Sequence, residues 1–217
     1  MKKKEMKEQR AFLFEIRAEH NDDYGDYITG KPVVYESETD IGGMFKEVIH
    51  KGALDHADLR DVAFLVNHDL NRIPLARSRR NNKNSTMQLK IEDDGLSIRV
   101  NLDTENNSEA RALYSAVQRG DITGMSFMFL VSDEEWEDLD GEYPTRHING
   151  ISCVYEVSAV TFPAYEDTEI TARDKRALEN AKSALVNARQ GEPAGLTGSS
   201  SDLELWKLKN EILVGGM

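Results

Sequence analysis

Three side chains in this sequence sit where their chemistry would matter if the fold buried them. His68 ends an apolar run, AFLVNHD, at the point where a core strand would reach the surface. One ring nitrogen can then be held by the protein while the other faces a substrate, the arrangement a general base needs. Asn67, Asp69 and Asn71 are turn formers, so a solvent-facing turn histidine accounts for the same pattern, and position alone favours it. Ser126 follows a Gly-containing turn in RGDITGMSFMF and opens an apolar strand. A hydroxyl buried there without a partner is costly, so it is either bonded to neighbouring backbone, the simpler reading, or put to use as a nucleophile. The segment is not a G-x-S-x-G elbow, because Met128 takes the second Gly place. Glu156 lies in CVYEVSAVTFPAY, among β-branched and aromatic residues. On a central strand that carboxylate needs a partner such as a histidine; on a half-exposed strand it is simply the outward face of the alternation.

Other arrangements are weaker. A Cys153 thiol paired with His68 is an alternative nucleophile, although Ser152, Val154 and Tyr155 make Cys153 look like a small core residue. His56 with Asp58, and His50 with Asp55, lack a third ligand for a metal. The acidic residues Asp133, Glu134, Glu135, Glu137, Asp138 and Asp140 read as a solvated loop. There is no P-loop and no G-x-G-x-x-G, and no cofactor or metal is expected.

The elements that must position these residues are mostly strands. MQLKIEDDGLSIRVNL alternates apolar and polar residues on both sides of Asp93-Asp94-Gly95 and predicts a hairpin with one buried face. Further strands are expected over 11–18, 27–35, 61–67, 125–131, 145–151 and 153–161. Asn106 and Glu109 resemble a capping box for a helix carrying Ala110, Leu113, Tyr114 and Val117, stopped at Gly120. A shorter helix is expected over 51–59.

Composition sets the frame. The chain has 217 residues, 39% hydrophobic and 30% charged, with a net charge of −12. This length buries a core without disulfides, and the single cysteine forbids an internal one. The acidic balance argues against nucleic acid as the main partner, since phosphate contacts need clustered Lys and Arg. The basic start at Lys2, Lys3, Lys4 and Lys7 is not followed by an apolar stretch of signal-peptide or membrane-span length, so a cytoplasmic chain without membrane association is expected. The expected organisation is a basic tail (1–10), a main domain (11–173), a helical extension (174–190), a Gly/Ser/Pro linker (191–201) and a short helix with Trp206 and Leu208 (202–217).

FKEVIHKGAL, FLVNHDLNRIPLARS, the EDDGL hairpin, RGDITGMSFMF and YEVSAVTFPAYEDTEITAR agree in content, order and spacing with one family. From about residue 11 to 173 the chain resembles the prohead (procapsid maturation) serine proteases of tailed bacteriophages. The resemblance implies an α+β fold: a mainly antiparallel β-barrel with surrounding helices, like the herpesvirus assemblin proteases, plus a C-terminal helical tail. It implies a serine endopeptidase with His68 and Ser126 as the catalytic pair and Glu156 as third member. It implies the major capsid protein and scaffold as substrates, self-cleavage with the linker as an accessible site, a homo-oligomer, and action inside the immature procapsid in the bacterial cytoplasm. An inactive assembly protein of the same fold is the alternative. The sequence departs from the family at Ala76, where Gly is usual, and in the NNKNST loop, which lacks the usual Gly-Thr.

Overall fold

An alternating sequence with one turn signal has only one economical fold, and residues 87–101 adopt it. The computed structural model describes residues 8–12, 16–161 and 168–191. Their elements in chain order are β1 (Glu8–Phe12), β2 (Ile16–Asn21), β3 (Gly25–Val34), β4 (Glu38–Ile41), β5 (Phe45–Ile49), β6 (Ala63–Val66) and β7 (Ala76–Arg77). There follow β8 (Met87–Glu92), β9 (Gly95–Asn101), α1 (Ser108–Arg119), β10 (Gly124–Glu137), β11 (Thr145–Val160) and α2 (Thr168–Gly191). Of the set the alternation picks out, Met87, Leu89, Leu96, Ile98 and Val100 are buried in the β8–β9 hairpin, while Ile91, beside the turn, is exposed. Gly95 is required at its turn: φ is +147°, and a Cβ there would fall inside the Val33 carbonyl of β3.

The mixed α+β architecture is mostly strands, and the pairings are mainly antiparallel. The expected barrel is corrected. Among the described residues the ladders form two open sheets, one ordered β1-β10-β11-β5-β4 with β6 and β7 branching from β11, the other β2-β3-β9-β8. The reason lies in β11. Its sixteen residues take β10 along one edge, while the other edge is shared in parallel by β5 at 145–148 and β6 at 156–159. The branches end at β4 and β7, so the ladder does not return to β1. Alternation fixes which face is buried but not which strands become neighbours.

Other expectations shift. The two strands foreseen over 145–151 and 153–161 are one. Most of the acidic run is strand, not loop, since β10 pairs with β11 as far as Glu137↔Thr145. No helix forms over 51–59: Ile151 N donates to Ala53 O at 2.7 Å and Asp58 N to Ser152 O at 2.8 Å, so β11 takes the backbone groups a helix would use. α1 is capped one residue later than expected, by Asn107, whose side chain accepts from the Glu109 and Ala110 amides, and it ends at left-handed Gly120. The chain enters the sheet at Glu8, before the end of the foreseen basic tail. Two compact units divide it, Met1–Glu179 and Asn180–Met217, and α2 runs across that division. The expected linker beyond Gly191 and the 202–217 helix lie outside the described residues.

Candidate active site

β6 delivers His68. The two residues after it turn with left-handed backbone, φ +49° at Asn67 and +56° at His68, which costs non-glycine residues of order 1–3 kcal/mol each. The turn is held from β11 and just beyond it. Asn67 N donates to Ala159 O at 2.9 Å, Thr161 N to Asn67 Oδ1 at 2.9 Å, and His68 N to Ser158 Oγ at 3.1 Å. The strained turn aims the imidazole back over the sheet, where Nδ1 lies 2.5 Å from Glu156 Oε1.

Glu156 is 1% exposed, so its charge must be satisfied locally. Its second oxygen, Oε2, accepts from Ser158 Oγ at 2.6 Å. Glu156 and Ser158, two residues apart on one strand, share a face, and Ser158 closes a ring: its hydroxyl donates to the carboxylate and accepts from the His68 amide. A carboxylate accepts, so the neutral imidazole suited to this contact carries its proton on Nδ1 and offers Nε2 as the acceptor. Nε2 is buried and has no hydrogen-bond partner among the described residues.

Ser126 stands one strand over. In the regular stretch of the β10–β11 ladder it pairs with Ser158, and Met128 pairs with Glu156, which puts the serine on the face that carries the carboxylate. It is wholly buried, and its Oγ donates to the Arg10 carbonyl of β1 at 2.7 Å. His68 and Glu156 are thus brought into contact, while the serine hydroxyl is taken up by backbone 116 positions away rather than by the sequence-neighbouring backbone its setting suggested. Cys153 lies three residues from Glu156, about 10 Å along the strand, opposite Leu130 on β10. The β11 amides after Glu156 lie between β10 and β6 and are committed to the sheet.

Behind Ser126 sits a group that sequence reasoning missed. Arg10, Glu47, Arg146 and Asp174 are all buried. The Arg10 guanidinium grips both Glu47 oxygens and reaches Asp174 at 3.0 Å; Arg146 binds Glu8 at 2.5 Å, Glu47 at 3.1 Å, and Glu134. Burial alone would lower the Arg10 pKa, but Glu47, Asp174 and Glu8 outweigh it and hold the guanidinium above its ordinary value. Burial pushes the Asp174 carboxyl up. Such partners are separated by up to 164 positions, from Arg10 to Asp174, so no local pattern announces them. Ser158 was closer to legible, as the i+2 neighbour of Glu156 in EVS.

Among the described residues no group of three or more His, Cys, Asp or Glu side chains is placed to hold a metal, and no helix is long and apolar enough to cross a membrane. The profile of the caudovirus prohead serine proteases matches residues 13–183. The chain belongs to that family. Over 153 residues, 66% of this chain, it is 30% identical to the prohead protease of Enterobacteria phage HK97, and the match spans 61% of that relative's length. The solved bacteriophage T4 capsid assembly protease matches over 70% of this chain and 98% of its own, with 14% identity and a TM-score of 0.36. Against the family pattern, Ala76 is accommodated without positive φ as part of β7; the left-handed residues come later, at Arg79, Arg80 and Asn81.

Proposed function

We propose that this prohead serine protease family member is a capsid-maturation endopeptidase in which Ser126 is the nucleophile, His68 the general base and acid, and Glu156 the group that orients the imidazole. The observation that carries the reading is the His68 Nδ1–Glu156 Oε1 contact of 2.5 Å, with Nε2 left as acceptor and Ser126 on the same face of the neighbouring strand. Ser126 Oγ bonds to the scissile carbonyl carbon as its proton passes to Nε2. The imidazolium, stabilised by Glu156, returns that proton to the leaving amine as the C–N bond breaks. Water then attacks the acyl-serine with Nε2 again taking the proton. That proton passes to Oγ as the acyl C–O bond breaks, which frees the acid product and restores the serine and the neutral imidazole.

The hydroxyl must first give up its bond to Arg10, and because Ser126 is wholly buried some of its cover must move before a peptide reaches it. β1 is the element bonded to that hydroxyl. The substrates on this reading are the N-terminal scaffolding segment of the major capsid protein and the scaffold, inside the procapsid, followed by cleavage of the chain itself within 191–201. A homo-oligomer belongs to the same proposal.

The Ser126–Arg10 bond also favours a second reading, an assembly protein that retains the fold without activity. Co-expression with the capsid protein of the same phage, read by gel and by N-terminal sequencing of the product, separates the two. Ser126→Ala is expected to abolish processing, a loss of at least about a thousandfold. Equal processing by parent and variant removes Ser126 from the chemistry, and no processing by either favours the inactive protein.

A further inference from the structure

Beside the His68 turn the surface opens into a groove of about 470 Å³, a size suited to a side chain or a small ligand. Leu65 of β6, Leu75, Leu113 and Ala116 of α1, and Ile122 line it. Two segments that line it lead directly to the proposed chemistry: β6 runs on to His68, and Ile122 precedes Ser126 by four residues. Val66, Asn67 and Asp69 of its lining flank His68, and Leu65 pairs with Ser158 of β11, so the groove abuts the His68 turn.

Its polar groups are already spent. The Asn67 side-chain amide is engaged with Thr161, Nδ2 to Oγ1 at 3.1 Å and Oδ1 to the amide nitrogen at 2.9 Å. At the rim Arg72 bridges Glu109 at 2.9 Å and Asp69 at 3.5 Å. What remains on offer is apolar surface, and the adjoining loop adds to it. Ile73 is 83% exposed and Leu70 65%, the two most exposed large hydrophobic side chains among the described residues. Single exposed aliphatics are ordinary, but here Ile73 itself lines the groove and Leu70 lies three residues before it on the same loop.

We infer that this groove receives a large apolar side chain of the peptide to be cut, so that Ile73 and the α1 residues opposite it set specificity; the inference rests on the proposed role of Ser126. A peptide with Leu, Ile or Phe at the matching position removes the Ile73 surface from water and is cut faster than one with a small or charged residue there. Apolar pockets of this kind discriminate by about ten- to two-hundredfold.

The test uses the full chain and a proteome-derived peptide mixture, with cut sites read by mass spectrometry, and a fluorophosphonate to report reactivity at Ser126. The parent is expected to enrich a large apolar residue at one fixed distance from the cut. Ala112→Phe, an exposed α1 position on the groove wall, fills the space without touching the core. It and Ile73→Ser are expected to lower kcat/KM at least tenfold for peptides with that residue, while Ile73→Leu keeps the parent value. Labelling at Ser126 with no apolar preference, or with a preference that Ala112→Phe leaves intact, overturns the groove assignment and spares the site. Absence of both labelling and cleavage overturns the role of Ser126 and the groove with it. If Ile73→Ser changes the oligomeric state but not the cleavage pattern, the groove is a contact between copies of the chain and the inference fails.

Discussion

The two ends of the β10–β11 ladder are built to opposite plans. From Gly124↔Val160 to Met128↔Glu156 the register is regular, and Ser126, Met128, Glu156 and Ser158 are all buried. Polar side chains there bond to each other, to His68 or to backbone. Beyond Met128 the register shifts four times, acidic residues face outward, and Arg146 enters a multi-carboxylate ion cluster. A short regular ladder holds a few polar atoms to tight positions, because one residue of slip would turn every side chain to the wrong face. The bulged end tolerates irregularity, because long Arg and Glu side chains reach their partners from several backbone positions. One pair of strands thus carries an exacting end, proposed for chemistry, and a forgiving end that ties the sheet together.

Substitutions at the two ends should separate these roles. Glu156→Gln is expected to cut kcat by about 10³–10⁴-fold, because an amide cannot stabilise the imidazolium and favours the wrong tautomer. Steady-state kinetics on a cleavable peptide checks this, and a loss below tenfold would remove Glu156 from the mechanism. Arg146→Met should act on stability instead. It leaves the Glu8, Glu47 and Glu134 carboxylates short of a cation and should cost about 3–5 kcal/mol in urea unfolding, with activity per folded molecule kept. If Arg146→Met abolishes activity in fully folded protein, the division of roles is wrong.

Ser158→Ala is expected to be milder, about tenfold in kcat with KM unchanged, because Glu156 and the His68 turn each lose one bond but keep their place. A rise in KM alone would make Ser158 structural only. The smallest effect belongs to the turn at the forgiving end. Tyr143 donates to Asp40, and this bond, with burial and the Asp40 charge, pushes its phenol up to about 12. A raised phenol pKa stabilises the fold fully below the unfolded value near 10, and that contribution is lost as pH rises through about 12. Ultraviolet titration of the parent against Tyr143→Phe should show this high transition, and Asp40→Asn should bring it back toward 10.

Local physics was legible where it acts locally. The β8–β9 hairpin follows from alternation and a Gly-bearing turn, and α1 from apolar spacing and a terminal glycine, with its cap displaced by one residue because Asn106 and Asn107 are both competent caps. The helix expected over 51–59 fails because β11 competes for the same backbone groups, a rival that lies about 95 residues away. The site divides the same way. His68, Ser126 and Glu156 stood out by type and setting, but until the segments were taken together a local explanation was the simpler one for His68 and Ser126 and an equal one for Glu156.

The order of residues by itself determined the strand-rich character, the hairpin, the capped helix and which side chains have reactive chemistry, because these depend on neighbours within a few positions. Tertiary structure alone decided that Glu156 meets His68, that Ser158 braces both, that the Ser126 hydroxyl bonds to Arg10, and that the sheets stay open among the described residues. Those outcomes depend on which strands become neighbours, and a strand's alternation says which face it buries without saying whose edge it will meet.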